Sequence, residues 1–173
     1  TAQDVGFRIG PRLNATGRLD ESMRALLLLL EKDLDNARRI AKELDEINTA
    51  RRSETERTVQ EALQLAEEQK LNEDYVVVVA SKGWTPGIVG IAASKIVEAY
   101  ARPAFVLAID DERNLAKGSG RSIKGFNLAS AIDGSRPLLT SGGGHEMAAG
   151  CSFPAENLLA VRESFNAIAS QTL

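Results

Sequence analysis

Two glycine-rich stretches hold most of the residues in this chain that are equipped for chemistry. They are Lys117-Gly118-Ser119-Gly120-Arg121-Ser122 and Ser141-Gly142-Gly143-Gly144-His145-Glu146-Met147. Glycines let backbone N–H groups come close to a phosphate where a Cβ would block the approach. A serine hydroxyl and an arginine fork complete a pocket for a doubly charged phosphate end. His145 is the single histidine of the chain. Either stretch alone reads more readily as a hairpin bend or a flexible loop. Together, with an arginine and the lone histidine, they point to a phosphate-binding site of Ser119, Gly120, Arg121, Ser122, Gly143, Gly144 and His145. A third feature, Trp84-Thr85-Pro86-Gly87-Ile88-Val89-Gly90, has two readings. Its helix start can hold an anion at the positive end of the dipole, or Gly90 can let a helix pack tightly on a sheet.

Elements must place these residues. Phe7 to Asn14, with Gly10-Pro11 inside, reads as a loop or short irregular turn. Asp20 or Ser22 can cap a helix through Leu30, and Asp33 can cap a much longer one. Ala37, Ile40, Ala41, Leu44 and Ile47 recur at helical spacing, and Val59, Ala62, Leu63 and Ala66 resume it. Arg51 to Arg57 between them is polar on every face, as in a helix that bridges two bodies through solvent. Such a helix from Asp33 to Glu68 spans roughly 50 Å at its standard rise. The alternative is a helical hairpin broken near Asn48.

Beyond Asp74 the pattern alternates between strands and helices. Tyr75 to Ala80, Ala104 to Ile109, Leu115 to Ser122 and Ala149 to Phe153 read as strands. Ile88 to Tyr100, Asn127 to Ile132 and a terminal stretch from Pro154 read as helices. The fold class expected is α/β, with a long connecting helix ahead of a compact mixed-sheet domain.

Composition narrows the function classes. The 173 residues are 43% hydrophobic, enough for one or two small domains with ordinary cores. Aromatics make up only 5%, so a large base-stacking platform is excluded. Cys151 stands alone, without a disulfide partner or a thiolate metal cluster, which fits a reducing compartment. The longest apolar run, Ala25 to Leu30, is far too short to span a bilayer. A cytoplasmic protein without membrane contact is expected. The chain opens on Thr1, and the expectation is a piece of something longer. The net charge of −3 is concentrated in residues 20–74. Residues 1–19 carry Arg8, Arg12 and Arg18 against Asp4, and residues 75–173 carry nine Lys/Arg against eight Asp/Glu. A small phosphate pocket is favoured over an extended basic groove.

The order of these motifs resembles the RecJ-type single-strand exonucleases of the DHH phosphoesterase superfamily. Gly10-Pro11-Arg12-Leu13-Asn14-Ala15-Thr16-Gly17-Arg18-Leu19 is similar to a signature near the end of their catalytic domain. The long helix, the Gly83-Trp84-Thr85-Pro86-Gly87 turn, the Lys117 to Ser122 stretch and Gly143-Gly144-His145 follow in the same order, so the resemblance covers essentially the whole chain. It implies a remnant of the catalytic domain at 1–32, a connecting helix at 33–70 and a DHH-associated substrate-binding domain at 71–173. It also implies a 5′-to-3′ exonuclease of DNA repair and recombination whose partner is single-stranded DNA with a 5′ phosphate. Manganese or magnesium would be held by Asp and His residues upstream, with no metal held in this stretch and no nuclease activity from it alone. By motif match, Ser119, Gly120 and Arg121 cradle the 5′ phosphate, Arg12 or Arg18 reaches in from the catalytic side, and Gly143, Gly144 and His145 meet the phosphate near the scissile bond. Thr85 stands where the family often has His, and Leu139-Thr140-Ser141 lacks an aromatic usual there. Two other classes stay open: a short-oligonucleotide or cyclic-dinucleotide phosphodiesterase, and a non-catalytic binding or scaffold relative.

Overall fold

A computed structural model of the chain describes residues 1–16 and 22–173. They form two compact units, Thr1–Glu56 and Arg57–Leu173.

The first unit is helical. Thr1 caps α1 (Ala2–Asp4) in a capping box with Asp4. The chain continues through a widened π-type turn at Val5–Ile9 into α2 (Gly10–Thr16), and α3 (Ser22–Leu30) follows. The loop expected around Phe7 to Asn14 is therefore helical. Pro11 comes directly after the widened turn, so its missing N–H falls where the regular ladder is already interrupted. Asp33 Oδ1 accepts from the Asn36 N–H at 2.8 Å and caps α4 (Leu34–Glu68) as expected; Asp20 lies outside the described residues.

α4 supplies residues to both units and runs unbroken past Asn48, so the hairpin alternative is not taken. Its polar middle is not solvated on every face, which corrects the expectation for residues 51–57. Asn48 and Thr58 are buried, and Arg51 and Thr55 are half-buried. These positions continue the stripe of Ile40, Leu44, Ala62 and Ala66 at spacings of three and four. Thr55 is polar in the sequence but donates its hydroxyl to the Arg51 carbonyl at 2.8 Å, which hides its polarity from the buried stripe.

The second unit is a five-stranded sheet in the order β1-β2-β3-β5-β4. Its strands are β1 (Val77–Lys82), β2 (Ala104–Asp110), β3 (Leu115–Arg121), β4 (Ser141–Gly144) and β5 (Ala148–Pro154). β1 and β2 are parallel, joined by the crossover helix α5 (Val89–Tyr100), and the other pairs are antiparallel. Alternation sends Val78, Phe105, Leu107, Ala116, Cys151 and Phe153 to one face. There they pack under α6 (Leu128–Gly134) and α7 (Leu158–Ala169), with Phe105 stacked on Phe165 at 4.5 Å. Asn127 caps α6 by accepting from Ala129 and Ser130.

The opposite face carries Val77, Val79, Ala104, Val106 and Ala108. α5 covers it through Val89, Ala92, Ala93 and Ile96, and the last turns of α4 join through Ala62 and Ala66. Trp84 is locked in this layer by donating from Nε1 to Glu61 Oε2 at 2.7 Å. That bond, helped by Arg57 and opposed by burial, holds the Glu61 carboxyl below its ordinary pKa.

The two outer strands are finished differently. Beside β1, the Asn166 amide on α7 accepts from the Val76 N–H at 2.9 Å and donates to the Val76 carbonyl at 3.2 Å. Arg162 donates to the Val78 carbonyl at 3.0 Å. β4 is a strand where the sequence suggested a glycine loop, and its far side meets Arg136, which donates to the Gly142 carbonyl at 2.8 Å.

Candidate phosphate-binding face

On the α5 side, β3, β5 and β4 extend beyond the buried layer and leave most of their outward residues at least partly exposed, Ser152 being buried. Strand register arranges them in three cross-strand rows. Arg121 lies opposite Ala148, which accepts from the His145 N–H at 2.8 Å. Ser119 lies opposite Gly150 and Gly150 opposite Gly143, while Lys117 lies opposite Ser152 and Ser152 opposite Ser141. The middle of the face is floored by Ala148, Gly150 and Ser152, with two cations and the Ser119 hydroxyl on β3 and the histidine directly after β4. At standard strand spacing, Arg121 and His145 stand roughly 10 Å apart across this floor.

Within that frame Ser119 and Arg121 share an unusual neighbour. A Cβ on Gly90 would lie 3.2 Å from Arg121 Nη2 and 3.4 Å from Ser119 Oγ. Gly90 thus lets the first turn of α5 press on β3, which supports the close-packing reading of the Trp84 turn. The same approach sets the first turn of α5 beside Ser119 and Arg121; in that turn the Val89 and Ile91 N–H groups donate to the Thr85 and Ile88 carbonyls at 3.3 and 2.8 Å. Arg121 is half-buried and donates from Nη1 to the Gly120 carbonyl at 2.8 Å. Among the described residues, Ser119 Oγ, Lys117 Nζ and the His145 ring make no hydrogen bond or ion pair.

The backbone of 117–122 does not form the expected phosphate-cradling turn. β3 is paired on both sides, so its N–H groups are engaged in two ladders and only side chains face the open surface. Gly120 serves the core instead: a Cβ there would lie 2.6 Å from the Phe105 ring. A Cβ on Gly118 would lie 2.0 Å from the Val106 carbonyl oxygen, where β2 and β3 approach closely. Ser122 is buried, and its hydroxyl donates to the Phe126 carbonyl at 2.7 Å, which takes it out of the face. In the second stretch, Gly143 has nothing within 4 Å of where a Cβ would stand, so the space above it is open. Gly144, at φ +154°, has no room for a side chain, since a Cβ would lie 2.5 Å from the Ala148 carbonyl oxygen.

Arg12 belongs to the first unit, where Nε pairs with Asp45 at 2.7 Å and Nη1 donates to the Arg8 carbonyl at 2.6 Å. Arg18 lies outside the described residues. Among the described residues no group of three or more His, Cys, Asp and Glu can hold a metal ion. A two-metal centre needs several carboxylate and imidazole ligands, and the residues around His145 do not fit one. Cys151 lies on the α6 side, where burial pushes its thiol up to about 12.

The family model described as the DHHA1 domain matches residues 72–171, a span that takes in the whole sheet. The chain belongs to the DHHA1 domain family. Its relatives include the single-stranded-DNA-specific exonuclease RecJ of Bacillus subtilis, 44% identical over 171 residues that are 99% of this chain and 22% of that protein. RecJ of Escherichia coli is 37% identical, over 99% of this chain and 31% of that protein. A crystal structure of Thermus thermophilus RecJ in complex with Mn2+ superposes with a TM-score of 0.88 at 33% identity, covering 99% of this chain and 25% of that one. The chain therefore spans about a fifth to a third of the length of the curated relatives it matches. No helix among the described residues is long and apolar enough to cross a membrane.

Sequence reasoning picked Ser119, Arg121, Gly143 and His145, which the fold puts on one face. It missed Gly90 as a contact of the arginine, and it missed the row of Lys117, Ser152 and Ser141. The signal for that row was present: Lys117, Ser119 and Arg121 alternate with Gly118 and Gly120 at the period of a strand, which puts all three on one side.

Proposed function

We propose that this chain is the DNA-gripping part of a metal-dependent exonuclease of the RecJ type, which removes nucleotides from single-stranded DNA in the 5′-to-3′ direction during repair and recombination. The observation that carries this reading is the shared open face of Ser119, Arg121 and His145, whose hydroxyl and ring are uncommitted. The Arg121 fork and the Ser119 hydroxyl hold the 5′ phosphate. His145, across the glycine floor, donates to the phosphate nearer the scissile bond and stabilises the charge that develops there. The floor has almost no side chains, so the sugar-phosphate backbone can lie against the sheet. Divalent ions are held elsewhere in the longer protein. The first unit supports that reading, because Phe7, Leu26, Leu29 and Leu30 stand exposed as an apolar surface of the kind that further protein covers.

The test is Arg121→Ala in the intact protein. A charge-assisted contact to phosphate contributes roughly 1.5–3 kcal/mol, so use of 5′-phosphorylated strands should fall about ten- to a hundredfold. Strands ending in a 5′ hydroxyl should lose much less, while His145→Ala should lower turnover on both. Equal losses for both ends in the Arg121 variant would overturn the assignment.

A further inference from the structure

Ser122 is turned away from the open face, and its surroundings give it a different use. Its buried hydroxyl donates to the Phe126 carbonyl at 2.7 Å, across a turn that the Phe126 N–H closes on the Ile123 carbonyl at 3.4 Å. Gly125 supplies the positive φ, +101°, that the third position of such a turn favours. Phe126 is buried in the core on the α6 side, and Asn127 beside it caps that helix. Residues 122–128 are thus held from within. Two of their backbone donors engage the hairpin tip between β4 and β5. The Ser122 N–H donates to the Met147 carbonyl and the Leu128 N–H to the Glu146 carbonyl, both at 3.1 Å. The tip needs that support. A two-residue hairpin turn follows the twist of its strands when one or both central residues have positive φ. Neither Glu146 nor Met147 does, and both are exposed, as is His145, so no packed side chain fixes the tip.

From this arrangement we propose that Ser122 is a positioning residue for His145: its hydroxyl stiffens residues 122–128, which in turn fix the hairpin tip and the place of the histidine relative to Arg121. It rests on the phosphate-binding reading above. Arg121 directly precedes Ser122, and His145 directly precedes Glu146. The two groups that meet neighbouring phosphates therefore adjoin the two backbone bonds that tie the segment to the tip. Their spacing is set by the protein before a strand arrives, as pre-organised stabilisation of a developing charge requires. Removing the Ser122 hydroxyl leaves the buried Phe126 carbonyl without its donor, so the turn loosens and the tip drifts. Arg121 is spared, because β3 is paired on both sides up to that residue.

The experiment is a double-mutant cycle in the intact protein, reading turnover of single-stranded DNA at saturating substrate per folded molecule. A misplacement of about 1 Å can cost roughly a hundredfold, so the partial loosening in Ser122→Ala should lower turnover about tenfold. Ser122→Thr keeps the hydroxyl and should restore most of the rate. In a His145→Ala background the same Ser122→Ala change should cost less than about twofold, because the group it positions is gone. Ser135→Ala, which breaks a different hydroxyl pair, that of Ser135 with Ser164 at 2.7 Å, should leave turnover per folded molecule unchanged. Ser122→Ala should also keep the preference for 5′-phosphorylated over 5′-hydroxyl strands. An equal fall in both backgrounds would show a purely structural role and overturn the proposal. So would unchanged turnover in Ser122→Ala, or a lost end preference, which would place its effect on Arg121. The underlying reading fails separately: if His145→Ala alone leaves turnover unchanged, the histidine has no part in the reaction and there is nothing to position.

Discussion

Gly90→Ala should separate stability from phosphate binding, because Gly90 is where α5 touches the proposed phosphate-binding face. A Cβ there would stand 3.2 Å from Arg121 Nη2, a few tenths of an ångström tighter than ordinary contact, and 3.4 Å from Ser119. The obstruction is the far end of a flexible side chain, so the helix should hold and the guanidinium should move. Alanine is favoured over glycine in a helix interior by up to about 1 kcal/mol, and less in a first turn. Net of the crowding, melting should change little or rise by up to roughly 3 °C. The guanidinium is now fixed by donation to the Gly120 carbonyl at 2.8 Å. Turning it aside forfeits part of a contact whose full value is roughly 1.5–3 kcal/mol, so affinity for a 5′-phosphorylated oligonucleotide should drop about three- to tenfold. A thermal melt and a fluorescence titration on the same preparation read both quantities. A fall of 2 kcal/mol or more in stability would show that Arg121 cannot yield. Unchanged affinity would show that its present position has no part in phosphate binding.

Two further outcomes are expected. The Glu61 carboxyl, held below its ordinary pKa of 4.5 mainly by the Trp84 bond, contributes stability that is present above that pKa and is lost as pH falls through the lowered value. Urea midpoints of the wild type should thus decline on acidification below about pH 5, more steeply than those of Glu61→Gln, and parallel curves would refute the contribution. Cys151, with a thiol pushed up to about 12, should resist a disulfide reagent at pH 8 until the chain is unfolded, and prompt labelling of the folded chain would contradict its burial.

What the sequence revealed, and what it concealed, follows from where the deciding interactions lie. The Asp33 cap, the short helix near Asn127 and the runs of Val77 to Val79 and Ala104 to Leu107 were legible because local chemistry sets them. β4 was concealed because Ser-Gly-Gly-Gly has little strand preference of its own and is made a strand by pairing with β5. Asn48 and Thr58 look like surface residues until the stripe through α4 is traced. At the candidate site the residue types were legible, but the supporting role of each glycine was not. Gly118 and Gly120 are dictated by β2 and Phe105, partners far away in the chain, rather than by any ligand.

The capped rim of the sheet has a consequence for solubility. An open strand edge is a template on which another chain can add, and natural proteins obstruct it. Here the Asn166 amide imitates a neighbouring strand by engaging both backbone groups of Val76, and Arg162 claims the next outward carbonyl, that of Val78. Both side chains come from α7, the last helix, so this rim of valines stays open to a passing chain until the C-terminal segment has docked. During folding, the interval before α7 arrives is when the molecule is most exposed to aggregation through this edge, and the two side chains close it without adding a strand.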